Sequence, residues 1–249
     1  MSRDVAVVVG ATGAFGRVIV ARLQQAGLCV VAVARTAKAL AALEAEFPGL
    51  VPCQADISED SSIAAIAASL PGPVRMVVHG PGVVAAGGIM SIAPGGLVDA
   101  VNIKVAGFVR LVRAVDEKLL PQARLVAIGG HYGLEPTAYA AAAGIANAAL
   151  LNVVRQFSLG YGPRGITAHM IAPGPADTAR LRRVAADRAA MASITTEDVL
   201  DELKAESSLG AFTTPEQVAW AVTTLLASEA DAMTGSTLML DAGRRRGLP

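Results

Sequence analysis

Three groups of residues in this chain have types and spacings that can do chemistry. The first is Gly10-Ala11-Thr12-Gly13-Ala14-Phe15-Gly16, which joins an apolar run to an amphipathic stretch. Glycine admits positive φ and lets backbone N–H groups come close to a ligand. A helix that starts here adds the partial positive charge of its N-terminus, so the segment reads as a cradle for a pyrophosphate. It is not the phosphate loop of a nucleoside triphosphatase, because no Gly-Lys-Ser/Thr follows and Arg17 comes after the last glycine. The second group is Arg35, with Lys38 behind it, at the end of the next apolar run. No acidic residue stands there to meet ribose hydroxyls, whereas a guanidinium can clamp a 2′-phosphate; this predicts NADP(H) in preference to NAD(H). The third is the titratable set His131, Tyr132 and Tyr139. A tyrosine without help titrates near ~10, so at neutral pH it gives a proton and does not take one. Such a group suits a step that needs an acid better than one that needs a base.

Short β-branched runs alternate with longer Ala/Leu-rich stretches and must position these groups. Val5–Val9, Leu28–Ala34, Val51–Gln54, Val74–His79, Arg124–Ile128, Ile166–Ile171 and Thr237–Leu240 read as buried strands. Helices are expected at Phe15–Ala26, Ala37–Phe47, Ser61–Leu70, Leu97–Lys118, Thr137–Gly160 and Pro215–Ser228. Near-continuous apolar strands separated by helices imply a parallel sheet covered on both faces, hence a doubly wound, Rossmann-like α/β fold of about seven strands. One domain spans 1–249. The charged segment 177–212, with Arg180, Arg182, Arg183 and Arg188 and then Glu197-Asp198 and Asp201-Glu202, is expected to insert one or two small helices as a lid; a solvated amphipathic pair is the alternative.

The bulk properties agree with a buried core and exclude several classes. Of the 249 residues 53% are hydrophobic and 17% charged, and the 21 Lys+Arg balance the 21 Asp+Glu. Neither nucleic acid nor a membrane surface is an expected partner. Met1-Ser2-Arg3-Asp4 leads into an apolar run too short for a signal peptide or a membrane span. Cys29 and Cys53 read as a reduced, buried pair, consistent with the cytoplasm, and no metal site is expected.

Over almost its whole length the chain resembles the short-chain dehydrogenase/reductase family. The Gly-x-x-Gly-x-x-Gly spacing is that of its extended and atypical members. Asp56-Ile57 resembles the pair that contacts adenine, and His79-Gly80-Pro81-Gly82 stands where the family has Asn-Asn-Ala-Gly. Ile171-Ala172-Pro173-Gly174-Pro175-Ala176-Asp177-Thr178 is similar to the Pro-Gly motif beside the nicotinamide, and Pro215–Ala219, Thr234-Gly235 and Leu240–Gly243 to the C-terminal signature. The resemblance implies cofactor contacts at Gly10, Thr12, Gly13, Phe15, Gly16, Arg35, Asp56, Ile57, Gly80, Pro173, Gly174 and Thr178. It implies catalytic roles for Tyr139 and for Asn102 as a relay residue.

Two family residues are missing. Ala143 stands where Tyr-x-x-x-Lys requires lysine, and Ile128-Gly129-Gly130-His131-Tyr132 has no serine after the fifth strand. His131 or Tyr132 is then a candidate to hold or protonate the substrate oxygen, against the alternative of a polar loop residue. Lys104, two residues from Asn102, is expected to point away from that helix face. His79 is expected to be a strand-end hydrogen-bonder, with a place facing the cofactor as the alternative, and His169 and Asn147 are expected to be structural. The expectation is an NADPH-dependent reductase of a ketone, enone or imine in a small apolar substrate, with Tyr139 or His131 as proton donor and a homodimer or homotetramer as its assembly. The alternatives are a non-redox isomerase or lyase, or a non-catalytic NADP-binding protein.

Overall fold

Valine-rich runs become strands, and the central strands Val5–Val9, Cys29–Ala34, Val74–His79 and Thr167–Pro173 are buried almost throughout. In the computed structural model, which describes residues 3–83 and 87–247, β1 (Val5–Val9), β2 (Cys29–Ala34), β3 (Val51–Gln54), β4 (Val74–His79), β5 (Leu119–Ile128), β6 (Thr167–Pro173) and β7 (Thr237–Leu240) form one sheet. Met1 and Ser2, part of the N-terminal stretch considered above, lie outside the described residues. All pairings are parallel, in the order β3-β2-β1-β4-β5-β6-β7. Side chains alternate along each strand, so Val7, Val77 and Leu125 face one core and Val8, Val78 and Val126 the other.

The first core is closed by α3 (Ser61–Ser69), α5 (Gly107–Val115) and α6 (Ala141–Tyr161), through Ile66, Phe108, Leu111, Leu150 and Val154. The second is closed by α1 (Ala14–Gln25), α2 (Ala37–Glu46) and α9 (Pro215–Thr224), through Ile19, Leu23, Leu43, Val218 and Val222. The strand order reverses between β1 and β4, and the crevice at their carboxyl ends is where such sheets bind ligands. There the first turn meets the fourth: a Cβ on Gly10 would lie 3.2 Å from the carbonyl carbon of Gly80.

Three elements depart from expectation. The helix expected over Leu97–Lys118 is broken: α4 (Pro94–Val101) passes through a π-helical turn, Asn102–Ala106, into α5 and a 3₁₀ turn, Asp116–Lys118. The helix expected from Thr137 begins at Ala141, because the lead-in forms a β-bridge at Ala140 with Gly87, and Ala141 N–H bonds the Gly87 carbonyl. Tyr139 therefore precedes the helix. Finally β5 starts at Leu119, five residues before the expected Arg124.

Residues 177–212 hold two helices, α7 (Ala179–Ala192) and α8 (Thr196–Ala205). They share a small core of their own, Ala185, Ala189, Val199, Leu200 and Leu203. Thr178 caps α7, and Thr195 with Asp198 forms a capping box on α8.

Candidate active site

The residues expected to hold the nucleotide all stand at the carboxyl ends of β1, β2, β3, β4 and β6. Gly10 has φ +82°, and a Cβ on Gly16 would lie 2.2 Å from the Gly10 carbonyl oxygen, so the turn and the start of α1 accept only glycine there. Gly13 caps α1 without a side chain, which leaves the first-turn N–H groups free of any side-chain acceptor. Thr12 is half-exposed at the turn, and Phe15 packs on the core beneath. This cradle fits a dinucleotide pyrophosphate. Arg35 is exposed at the end of β2. Burial raises the Asp56 carboxyl, but hydrogen bonds from Ser58 and the Arg35 charge outweigh it and hold the carboxyl below its ordinary value. Ile57 is buried, and both Ile57 and the His79 ring crowd the space a Cβ on Gly107 would take. Gly174 allows Asp241 to approach: a Cβ there would be 2.9 Å from the Asp241 Cα. The Thr178 hydroxyl accepts from Leu181 N–H (3.3 Å) and donates to the Ala176 carbonyl (3.3 Å).

The acid-base candidates are arranged differently from expectation. The Tyr139 hydroxyl is 2.9 Å from that of Tyr132 and 3.4 Å from Nη2 of Arg244. The Arg188 guanidinium lies 4.5 Å above the Tyr139 ring. Burial pushes the Tyr139 phenol up, yet bonds from Tyr132, Arg244 and Thr137 and the Arg244 charge bring it below the ordinary value. Tyr132 is raised, by burial first and then by Tyr139. His131 is buried, with Nδ1 3.9 Å from a carboxylate oxygen of Asp241. Burial, then Arg244, lowers it to about 4, so it is neutral at pH 7.

Asn102 is not brought to Tyr139. Its Nδ2 donates to the Ser58 carbonyl (3.0 Å) and its Oδ1 accepts from Arg110 (2.8 Å), which also pairs with Asp60. Lys104 leaves the same turn in another direction, as expected: it is buried, and its Nζ donates to the Ile128 carbonyl at 2.7 Å, at the carboxyl end of β5. From α6 the Asn147 amide reaches the same strand end: a Cβ on Gly130 would sit 2.9 Å from its Nδ2. His79 and His169 are buried and bonded as expected, His79 Nε2 donating to the Ile103 carbonyl (3.0 Å) and His169 Nε2 lying 2.8 Å from the Thr167 hydroxyl. Arg244, Arg188 and Glu206 had no motif to mark them. Arg244 had a positional signal, since residues that follow a strand's carboxyl end line the site in this fold class.

A family model described as "Enoyl-(Acyl carrier protein) reductase" matches residues 10–245. The chain belongs to the short-chain dehydrogenase/reductase family. Among relatives, the 3-oxoacyl-[acyl-carrier-protein] reductase of Salmonella typhimurium is 26% identical over 248 residues, covering 96% of each chain. A point variant of the actinorhodin polyketide ketoreductase, solved with NADPH, superposes with a TM-score of 0.90 at 25% identity, over 98% of this chain and 99% of that one. An NADPH-bound short-chain oxidoreductase of Pseudomonas aeruginosa PAO1, described as containing an atypical catalytic center, gives 0.85 at 24%, over 98% of both. Family members with these folds are oxidoreductases. Among the described residues no helix is long and apolar enough to cross a membrane, and no cluster of His, Cys, Asp or Glu could hold a metal.

Proposed function

We propose that this short-chain dehydrogenase/reductase is an NADPH-dependent reductase acting on a ketone, enone or imine in a small apolar substrate, with Tyr139 as the proton donor. The nucleotide, when bound, supplies the hydride. The glycine cradle and the α1 N-terminus hold its pyrophosphate, and exposed Arg35 favours a 2′-phosphate. Gly174 and Thr178 border the nicotinamide end. The observation that carries the reading is the Tyr132–Tyr139 hydroxyl pair beside Arg244. The Tyr139 phenol is more acidic than a free phenol, and Tyr132 can donate to its oxygen once the proton has left. His131, neutral and buried, is the weaker candidate acid. The carbonyl-reducing relatives support the substrate type, and the NADPH in the ketoreductase structure supports the cofactor. Ile145 and Leu159 on α6 and Val98 on α4, all exposed, support a face covered by a second copy in a homo-oligomer.

Fluorescence titration with NADPH and NADH tests the nucleotide site, and absence of binding by either would overturn the proposal. NADPH oxidation against activated carbonyl compounds then tests turnover. Tyr139→Phe is expected to lower kcat by about 10²–10⁴-fold; an unchanged rate would remove Tyr139 from the chemistry. A second reading, nucleotide binding without redox turnover, is favoured by Gly130 and Asn147 at the end of β5 and by the diversion of Asn102 to Ser58 and Arg110. Tight NADPH binding without oxidation by any carbonyl compound would favour it.

A further inference from the structure

We infer that Arg244, from the segment after the last strand, is the positioning residue that gives Tyr139 the positive charge a lysine at position 143 would have supplied. The inference rests on the reading of Tyr139 as the proton donor, but its geometry stands by itself. The Arg244 side chain is only 4% exposed, and Nη1 is fixed by the Leu203 carbonyl at 2.8 Å. Nη2 is shared between the Tyr139 hydroxyl at 3.4 Å and the carboxylate of Glu206, which follows α8. An ammonium on α6 would reach the phenol from the adjoining helix, whereas here the charge comes from about a hundred residues downstream, through the fold of β7 and α8.

Other segments also face the phenol. The turn after β5 contributes the Tyr132 hydroxyl at 2.9 Å, and the lead-in contributes Thr137. From α7 comes Arg188, 4.5 Å above the ring, whose own partner Glu202 stands at 3.9 Å. His131 lies against Tyr132 with ring centroids 4.4 Å apart, is neutral at pH 7, and faces Asp241. Among the described residues, the carboxylate that competes directly for Nη2 of Arg244 is Glu206. The Arg244 guanidinium and the hydroxyls of Tyr132 and Thr137 therefore act on the oxygen that becomes negative when Tyr139 gives up its proton, while Arg188 lies over the ring. Because Leu203 and Glu206 hold Arg244, the acidity of Tyr139 is tied to the docking of α8.

The chain has three tyrosines, which makes the test direct. Burial raises Tyr132 and Tyr161, so Tyr139 is the first phenol to ionise in an ultraviolet absorbance titration, an assignment checked by its loss in Tyr139→Phe. Arg244→Met is expected to move that first ionisation to higher pH by about one unit or more, and Arg244→Lys to restore most of the shift. Glu206→Gln, which frees Nη2 and leaves the arginine in place, is expected to move it lower and serves if Arg244→Met does not fold. A first ionisation unchanged in a folded Arg244→Met, or unmoved or raised in Glu206→Gln, overturns the inference. The two claims fail separately. Unchanged turnover in Tyr139→Phe with the titration shifts intact would defeat the reductase role of Tyr139 alone; loss of turnover without the shifts would defeat the role of Arg244 alone.

Discussion

Replacing Lys104 by methionine should stabilise the protein at neutral pH, and the gain should fade as the solution is made alkaline. Lys104 is 5% exposed, and its ammonium has the Ile128 carbonyl at 2.7 Å but no carboxylate among the described residues. Burial first, and then the Arg180 charge, pull its pKa from 10.5 down to about 7. In the unfolded chain the amine keeps its proton up to its ordinary value, while in the folded chain it gives it up near 7. Between those limits the unfolded state binds more protons, so stability rises with pH through the window and levels off above it. The interval of 10.5 − 7, at 1.36 kcal/mol per pH unit, gives a penalty of at most about 5 kcal/mol at and below pH 7. Methionine retains an apolar stem and removes the charge, but strips the Ile128 carbonyl of its donor, a loss of about 1–3 kcal/mol. The net gain at pH 7 is therefore about 2–4 kcal/mol, of the size seen when buried charges are replaced by apolar groups. Urea denaturation of both proteins between pH 6 and pH 10.5 measures it. The reasoning is refuted if the difference in unfolding free energy between wild type and Lys104→Met is the same at pH 7 and pH 10.

Three further outcomes rest on the same structure. Gly16→Ala places a methyl 2.2 Å from the Gly10 carbonyl oxygen, so NADPH affinity should fall at least about tenfold and stability by about 1–3 kcal/mol, read by fluorescence titration and thermal melting; wild-type affinity would contradict the cradle. Arg35→Ser should weaken NADPH by about 1.5–3 kcal/mol and leave NADH unchanged, and equal loss for both would show that Arg35 does not read the 2′-phosphate. His79, lowered to about 3, and His131 and His169, each lowered to about 4, stay neutral while their unfolded counterparts take protons below their ordinary 6.5. Stability should therefore drop as pH falls below 6.5, by up to about 4 kcal/mol per pH unit for the three together. Denaturation midpoints that stay flat between pH 6.5 and pH 5 would refute that burial.

The sheet and the glycine turn were legible because their causes are local. A run such as Val5–Val9 has one way to be buried on both faces, and a turn in which Gly16 must touch the Gly10 carbonyl announces itself as glycine. Capping signals of the same local kind start α8 and α9: Thr195 with Asp198 and Thr214 with Gln217 are reciprocal boxes readable from four residues each. The same locality explains the histidines. Each of His79 and His169 sits in a strand whose neighbours are apolar, so a structural role follows from the surrounding residues alone.

The acid-base site was less legible because each of its side chains is aimed by something outside its own segment. Residues two apart on a helix leave on different sides, but that Asn102 meets Ser58 and Arg110 while Lys104 meets the Ile128 carbonyl depends on the distant segments packed on each side. The small-residue pattern places Tyr139 at the start of a helix, but the bridge to Gly87 delays the helix until Ala141, and that sends the phenol toward Tyr132 and Arg244. Charge followed the same rule. The cation sought one turn along from Tyr139 is found instead after β7, buried and fixed by α8, where spacing within a motif has no bearing on it. A missing motif residue therefore shows only that its local position is vacant. Whether its charge is missing depends on which distant segments the fold brings to the same oxygen, and for Tyr139 that segment is the one carrying Arg244.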